Sequence, residues 1–269
     1  MDTSRILASD AWIEHPHGRL FSRRWHKPGE DRPAGEKTPI VLFHDSLGCV
    51  DLWRDFPALL SSATGRDVVA YDRLGFGRSD RREGRFPLDF IAEEAASYFP
   101  AVAGQLGLDR FIAFGHSVGG GMAVHCAARH ASRCLALVTE SAQAFVGDET
   151  RAGLLEAKRL FAGEHQLARL QKYHGDKASL VLDAWLGTWL DPDFAEWSLR
   201  DVLPAVRCPV LAIHGALDEY GSSRHPETIA GQCSGPAEMC ILPETHHVPH
   251  KERTKVVVAL VAEFTSQIS

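Results

Sequence analysis

Three residue types that together can carry out nucleophilic chemistry are spread along the 269-residue chain. Ser117 lies in Gly115-His116-Ser117-Val118-Gly119, two acids stand side by side at Asp218 and Glu219, and three histidines follow at His246, His247 and His250. A serine hydroxyl is a weak nucleophile until a base takes its proton, and a neutral imidazole suits that task. The imidazole in turn needs a carboxylate to fix its tautomer and to stabilise its charged form. The G-x-S-x-G segment falls between a predicted strand and a predicted helix, the context that makes the motif meaningful. A serine at so sharp a turn is strained, and the small neighbours Gly115, Gly119 and Gly120 leave room for it.

Attack on a carbonyl builds an oxyanion that needs two hydrogen-bond donors. One is expected to be the Val118 N–H, just after the nucleophile and at the positive end of the following helix. The other is expected from Phe43-His44-Asp45-Ser46-Leu47-Gly48, with Ser46 as the donor. Asp45 would oppose a neighbouring oxyanion, so it must point away or be neutralised. His44 is read as holding this loop. A metal reading of His246, His247 and His250 is weak, because H-E-x-x-H zinc sites need a continuous helix and Pro249 interrupts the segment. Neither metal nor cofactor is expected.

These residues need a scaffold, and apolar runs alternate with amphipathic stretches as in a mostly parallel sheet with crossover helices. Trp12–Trp25 reads as an opening hairpin, with a polar connection from Lys27 to Thr38. Strands are predicted at Pro39–Phe43, Asp67–Tyr71, Arg110–Phe114, Cys134–Val138, Pro209–Ile213 and Met239–Leu242. Helices are predicted over Leu52–Ala63, Leu88–Leu106, Val118–His130, near Glu227, and over Lys251–Ile268. The strand rhythm pauses from about 147 to 203, where the chain is helical and aromatic. This divides the chain into a core, 1–146 with 204–269, and a helical insertion, 147–203, that is expected to form a lid over the strands' C-terminal edge.

Bulk properties narrow the field. Apolar residues make up 45% and charged residues 24%, an ordinary globular balance. Twenty-nine basic against thirty-five acidic side chains give a formal charge of −6, which argues against a nucleic-acid partner. Met1–Arg5 leads into no apolar signal core, and the run Val256–Ala262 falls far short of the roughly 20 residues that span a bilayer, so no membrane partner is expected. Six cysteines lack metal or redox spacing; Cys126, Cys134, Cys208 and Cys240 read as small buried hydrophobes. The sequence contains no asparagine and hence no N-glycosylation acceptor. A cytoplasmic setting is the expectation, with a small-molecule substrate and either a monomer or a homodimer.

The sequence resembles the α/β-hydrolase family, in its branch of small lidded serine esterases. The likeness rests on His44–Gly48, Tyr71-Asp72-Arg73-Leu74-Gly75-Phe76-Gly77-Arg78-Ser79, Gly115–Gly120, Asp218 and His247, which together span the core. The resemblance implies an eight-stranded, mostly parallel sheet and the chain order serine, acid, histidine. It favours Asp218 over Glu219, because relatives end this strand with G-x-x-D. It favours His247 over His246, because relatives place the base ahead of a Pro-containing link into the last helix. It makes the Asp72–Ser79 turn structural. Aspartate-nucleophile dehalogenases and epoxide hydrolases are set aside by Ser117, and the asparagine of carbon–carbon hydrolases is missing. Cleavage of an ester, thioester or lactone is therefore expected, with Trp185, Trp189, Tyr173 and Phe145 as substrate-binding aromatics. A cofactor-free oxygenase or perhydrolase and a ligand-binding member without turnover are the rival readings.

Overall fold

Chain segments apolar on consecutive residues can be buried on both faces only inside a parallel sheet covered by helices. The computed structural model describes residues 6–28 and 37–268, and its sheet follows that rule. Most of the Lys27–Thr38 connection, and Met1–Arg5, lie outside the described residues. Strands β1 (Leu7–Ile13) and β2 (Leu20–His26) form the opening hairpin, followed by β3 (Ile40–Phe43) and β4 (Val68–Tyr71). Then come β5 (Phe111–His116), β6 (Cys134–Glu140), β7 (Val210–Gly215) and β8 (Ala237–Leu242). They assemble in the order β1-β2-β4-β3-β5-β6-β7-β8, antiparallel at β1-β2-β4 and parallel from there on.

Every residue of β3, β4 and β5 is buried. Alternation sends Val41 and Phe43 into one apolar layer and Ile40 and Leu42 into the other. The helices are α1 (Phe56–Thr64), α2 (Phe90–Glu93), α3 (Phe99–Gln105) and α4 (Val118–Arg129), then α5 (Asp148–Phe161), α6 (Glu164–His174) and α7 (Ala178–Trp189), and last α8 (Arg224–Gln232), α9 (Pro249–Glu252) and α10 (Thr254–Ser266). Helices α5, α6 and α7 fill the stretch between β6 and β7 where the strand rhythm pauses. Among the described residues no helix is long and apolar enough to cross a membrane.

The differences from expectation have local causes. The helix predicted over Leu88–Leu106 is divided by a π turn at Glu94–Tyr98, one residue short of Phe99-Pro100. Pro100 has no N–H to offer the Ala96 carbonyl, so the hydrogen-bond ladder widens there. The closing helix is broken at Arg253, whose φ of −130° and ψ of 42° are not helical, and thus starts as the separate turn α9. Strand β6 runs two residues past Val138, because Thr139 and Glu140 pair with Ala212 and Ile213; polar side chains hid this extension from an apolar-run reading. Cys126 and Cys134 are buried as expected, but Cys208 and Cys240 are only half-buried, the first ahead of β7 and the second on the sheet's outer strand.

Candidate active site

The C-terminal ends of the parallel strands open onto one rim, and the candidate residues meet there. Ser117 follows β5 directly and precedes α4; its φ of 56° and ψ of −126° place it in the strained turn that the motif requires. The glycines make this geometry possible. A Cβ on Gly115 would strike the Gly119 carbonyl, one on Gly119 the Phe43 carbonyl, and one on Gly120 the Ala142 side chain. Strand end and helix start therefore pack backbone against backbone, with β3 pressed against the first turn of α4.

His247 Nε2 lies 3.0 Å from Ser117 Oγ. On the other side of the ring, Nδ1 lies 2.8 and 2.9 Å from the two Asp218 carboxylate oxygens. Burial works against charge on Asp218, but the His247 charge and hydrogen bond, His214 and the Tyr220 N–H outweigh it and hold the carboxyl below its usual range. An ionised carboxylate only accepts, so Nδ1 carries the proton and Nε2 is left to accept from the serine hydroxyl. The Tyr220 N–H donates to Asp218 Oδ1 at 2.8 Å, and His214 Nε2 stands 3.3 Å from Oδ2. Glu219, the alternative acid, instead lies 3.8 Å from His246, and both side chains are more than half exposed. The structure thus brings Ser117, His247 and Asp218 together and leaves Glu219 and His246 outside.

The loop after β3 carries the other expected donor. Ser46 lines the cavity beside Ser117, and Val118 opens α4, where first-turn N–H groups have no partner within the helix. His44 holds the loop: its Nε2 accepts from the Arg73 N–H at 3.1 Å, so its Nδ1–H donates to the Asp45 carbonyl at 2.8 Å. Burial keeps this ring neutral, well below the usual histidine range. Asp45 turns one carboxylate oxygen toward His116, 3.5 Å from Nδ1. Burial opposes its charge, and the contact and charge of His116 overcome that and hold Asp45 below the usual carboxylate range. In the Asp72–Ser79 turn, Asp72 accepts from the N–H groups of Val50 and Arg78 at 2.6 and 2.7 Å, a structural clasp.

A cavity opens over Ser117 and His247. Leu47, Gln143, Tyr220 and the α5 and α7 residues Thr150, Leu154, Trp185 and Trp189 line it together with Asp45 and Ser46. Trp185 and Trp189 were expected there; Tyr173 and Phe145 were too, and they are not among the lining. Tyr173 is half-buried and accepts a hydrogen bond from Arg54 at 2.5 Å, while Phe145 packs at a tilt against His225 with ring centres 4.4 Å apart. An aromatic-rich helical stretch gives no directions, and both rings are spent on packing. Sequence reasoning passed over Gln143, whose Oε1 is 3.4 Å from Ser117 Oγ, and Tyr220, whose ring centre is 4.8 Å from that of His247. Their positions just past β6 and two residues past Asp218 were the available signals.

Among the described residues one buried set, His116, Glu140 and His250, places metal-type donor atoms within 4.8 Å of one another. Hydrogen bonds occupy part of this set: His250 Nδ1 meets Glu140 Oε2 at 2.5 Å, and His116 Nε2 meets the His247 carbonyl at 2.8 Å, while Glu140 Oε1 is buried without a hydrogen-bond partner among the described residues. We read the set as a polar network behind the site.

Comparison with known proteins agrees with this architecture. The family model described as alpha/beta hydrolase fold matches residues 38–254. The protein named 1-acylglycerol-3-phosphate O-acyltransferase ABHD5 from Homo sapiens is 41% identical over 102 residues, covering 36% of this chain; the chain spans only 27% of that relative's length. Serine hydrolase BPHL from Mus musculus is 26% identical over 227 residues, covering 78% of this chain and 74% of the relative. The enol-lactonase structure from Burkholderia xenovorans superposes with a TM-score of 0.74 at 19% identity, covering 96% of this chain and all of the other, which speaks to the fold alone.

Proposed function

The chain belongs to the α/β-hydrolase fold family, and from the order and spacing of its Ser117, His247 and Asp218 we propose that it is a serine hydrolase cleaving a carboxylic ester, thioester or lactone. The observation that carries this reading is the unbroken hydrogen-bond chain from hydroxyl through imidazole to carboxylate. His247 takes the Ser117 proton as the oxygen attacks the substrate carbonyl. The Ser46 and Val118 N–H groups receive the oxyanion. His247 then passes its proton to the leaving group, and an acyl-enzyme forms on Ser117. A water activated by His247 cleaves it, and the acid departs.

The cavity supports a small to medium, largely apolar substrate without an anionic group. Leu47, Leu154, Trp185 and Trp189 supply apolar wall, Gln143 and Thr150 supply hydrogen-bonding groups, and no lysine or arginine is part of the lining. In this reading helices α5 and α7 act as a lid, and the name serine hydrolase borne by the BPHL relative points the same way.

The test is turnover of short p-nitrophenyl esters, thioesters and lactones, with Ser117→Ala as the blank. Activity lost in Ser117→Ala, together with covalent labelling of Ser117 by a fluorophosphonate, is the expected result. Label without release of product would instead favour a protein that captures ligands without turning them over, and ester cleavage surviving in Ser117→Ala would sink the reading.

A further inference from the structure

The base in this site stands on irregular backbone. His247 lies in the link between β8 and α9, outside any strand or helix. Its neighbours are held from one side: the Glu252 carboxylate accepts from the N–H groups of His246 at 2.8 Å and of Val248 at 3.0 Å. The carbonyl of His247 itself is held from the other side by His116, at 2.8 Å. A carbonyl can only accept, so His116 Nε2 must carry a proton there. The opposite ring nitrogen of His116 faces Asp45 Oδ2 at 3.5 Å. Burial works against charge on this ring, but the Asp45 contact and the nearby Glu140 carboxylate outweigh it and hold the imidazole above its usual range, so this nitrogen also carries a proton and can face the carboxylate.

Resting on the functional reading above, we propose that His116 is a positioning residue that ties the base loop to the oxyanion loop. Its ring joins three groups. It is the covalent neighbour of Ser117, it holds the carbonyl of His247, and it faces Asp45, the residue preceding Ser46. The ring has little freedom to move: it is 1% exposed, sits at the end of strand β5, and packs edge-on against His250 with centres 4.9 Å apart. The tie also accounts for an acid beside the oxyanion. Asp45 spends its charge on His116, so the loop gains an anchor while the Ser46 side of the cavity is relieved of an uncompensated carboxylate. Displacements of about 1 Å in groups that must meet in a transition state can cost roughly 100-fold in rate, which sets the scale of the effect.

The experiment compares His116→Phe, His116→Gln and Asp45→Asn with the wild-type protein on the ester chosen by the Ser117→Ala blank. His116→Phe keeps a buried planar ring and removes both contacts; kcat should fall by up to about 100-fold with KM little changed. In His116→Gln the amide N–H can still reach the His247 carbonyl, so kcat should recover in part. Asp45→Asn keeps the shape and removes the charge, and kcat should drop while the His247 contact persists. The downfield proton resonance between His247 and Asp218 reads the base arm without substrate: it should broaden in His116→Phe and stay sharp in His116→Gln and Asp45→Asn. Unchanged kcat and resonance in His116→Phe, or equal losses in Phe and Gln variants that both stay folded, would overturn the tie. If Phe does not fold, a wild-type kcat in Asp45→Asn overturns the oxyanion arm and a broadened resonance in His116→Gln the base arm. A wild-type protein lacking Ser117-dependent turnover would sink the functional reading instead, and the resonance would still report on the tie.

Discussion

At the scale of single residues, the site is a set of donors and acceptors with few free choices. Asp218 accepts from the Tyr220 N–H and the His247 Nδ1–H, with the His214 ring 3.3 Å away, and as an ionised acceptor it fixes which nitrogen of His247 is basic. Asp218→Asn tests the point. The asparagine oxygen would keep the Tyr220 N–H, so its NH₂ would turn toward His247 and force Nδ1 to accept. The proton would then sit on Nε2, facing a serine that also needs to donate. We expect kcat to fall by about 10⁴ with the thermal transition near that of the wild type, measured by steady-state kinetics and calorimetry on the same samples. Wild-type turnover in this variant would remove Asp218 from the mechanism. Residue types and order narrowed the site to Ser117, two acids and three histidines, and it was the family resemblance that favoured Asp218 and His247 among them. His214 and His116 were not legible, because their roles come from which way a ring faces at a strand end: one reaches the acid, the other the carbonyl of the base.

At the scale of elements, the site depends on how closely β3, β5 and α4 approach. The strand–turn–helix around Ser117 could be read from an apolar run, a glycine-flanked serine and a small-residue helix. The close approach itself is shown by Gly119, where an added Cβ would run into the Phe43 and His44 carbonyls. Gly119→Ala should therefore push α4 from β3, destabilise the fold by about 1–3 kcal/mol, and move the Val118 N–H and Ser117 relative to Ser46. Urea unfolding and the rate of fluorophosphonate labelling check this together; full stability with wild-type labelling would show that the contact yields without consequence. The insertion was legible as helices and not as walls. The helical, aromatic character of the stretch could be read, but only the seating of α5 and α7 decides that Leu154 and Trp185 face the cavity while Leu155 and Leu160 on α5 lie open to solvent.

At the scale of the whole molecule, the fold that presents the site also buries a titratable group outside it. Glu94, in the π turn, is 3% exposed and accepts the Tyr71 hydroxyl at 2.6 Å. Burial is the main cause that pushes its carboxyl up to about 7, ahead of the Tyr71 hydrogen bond and the Arg73 charge that oppose the rise. The folded group thus stays protonated while its unfolded counterpart, with an ordinary value of 4.5, has already ionised. Between those two values the unfolded chain holds fewer protons, so stability from this group is present at low pH and is lost as pH rises through about 7. Glu94→Gln keeps an acceptor for Tyr71 and cannot ionise. Relative to the wild type it should gain little at pH 4.5 and about 3 kcal/mol above pH 7, since every other titration is common to both proteins and cancels in the difference. Paired urea titrations at pH 4.5, 6 and 8 measure that difference directly. A gap that stays flat across the series would mean that Glu94 ionises in the folded protein as readily as in the unfolded chain, with Arg73 and the Tyr71 hydroxyl fully offsetting the cost of its burial.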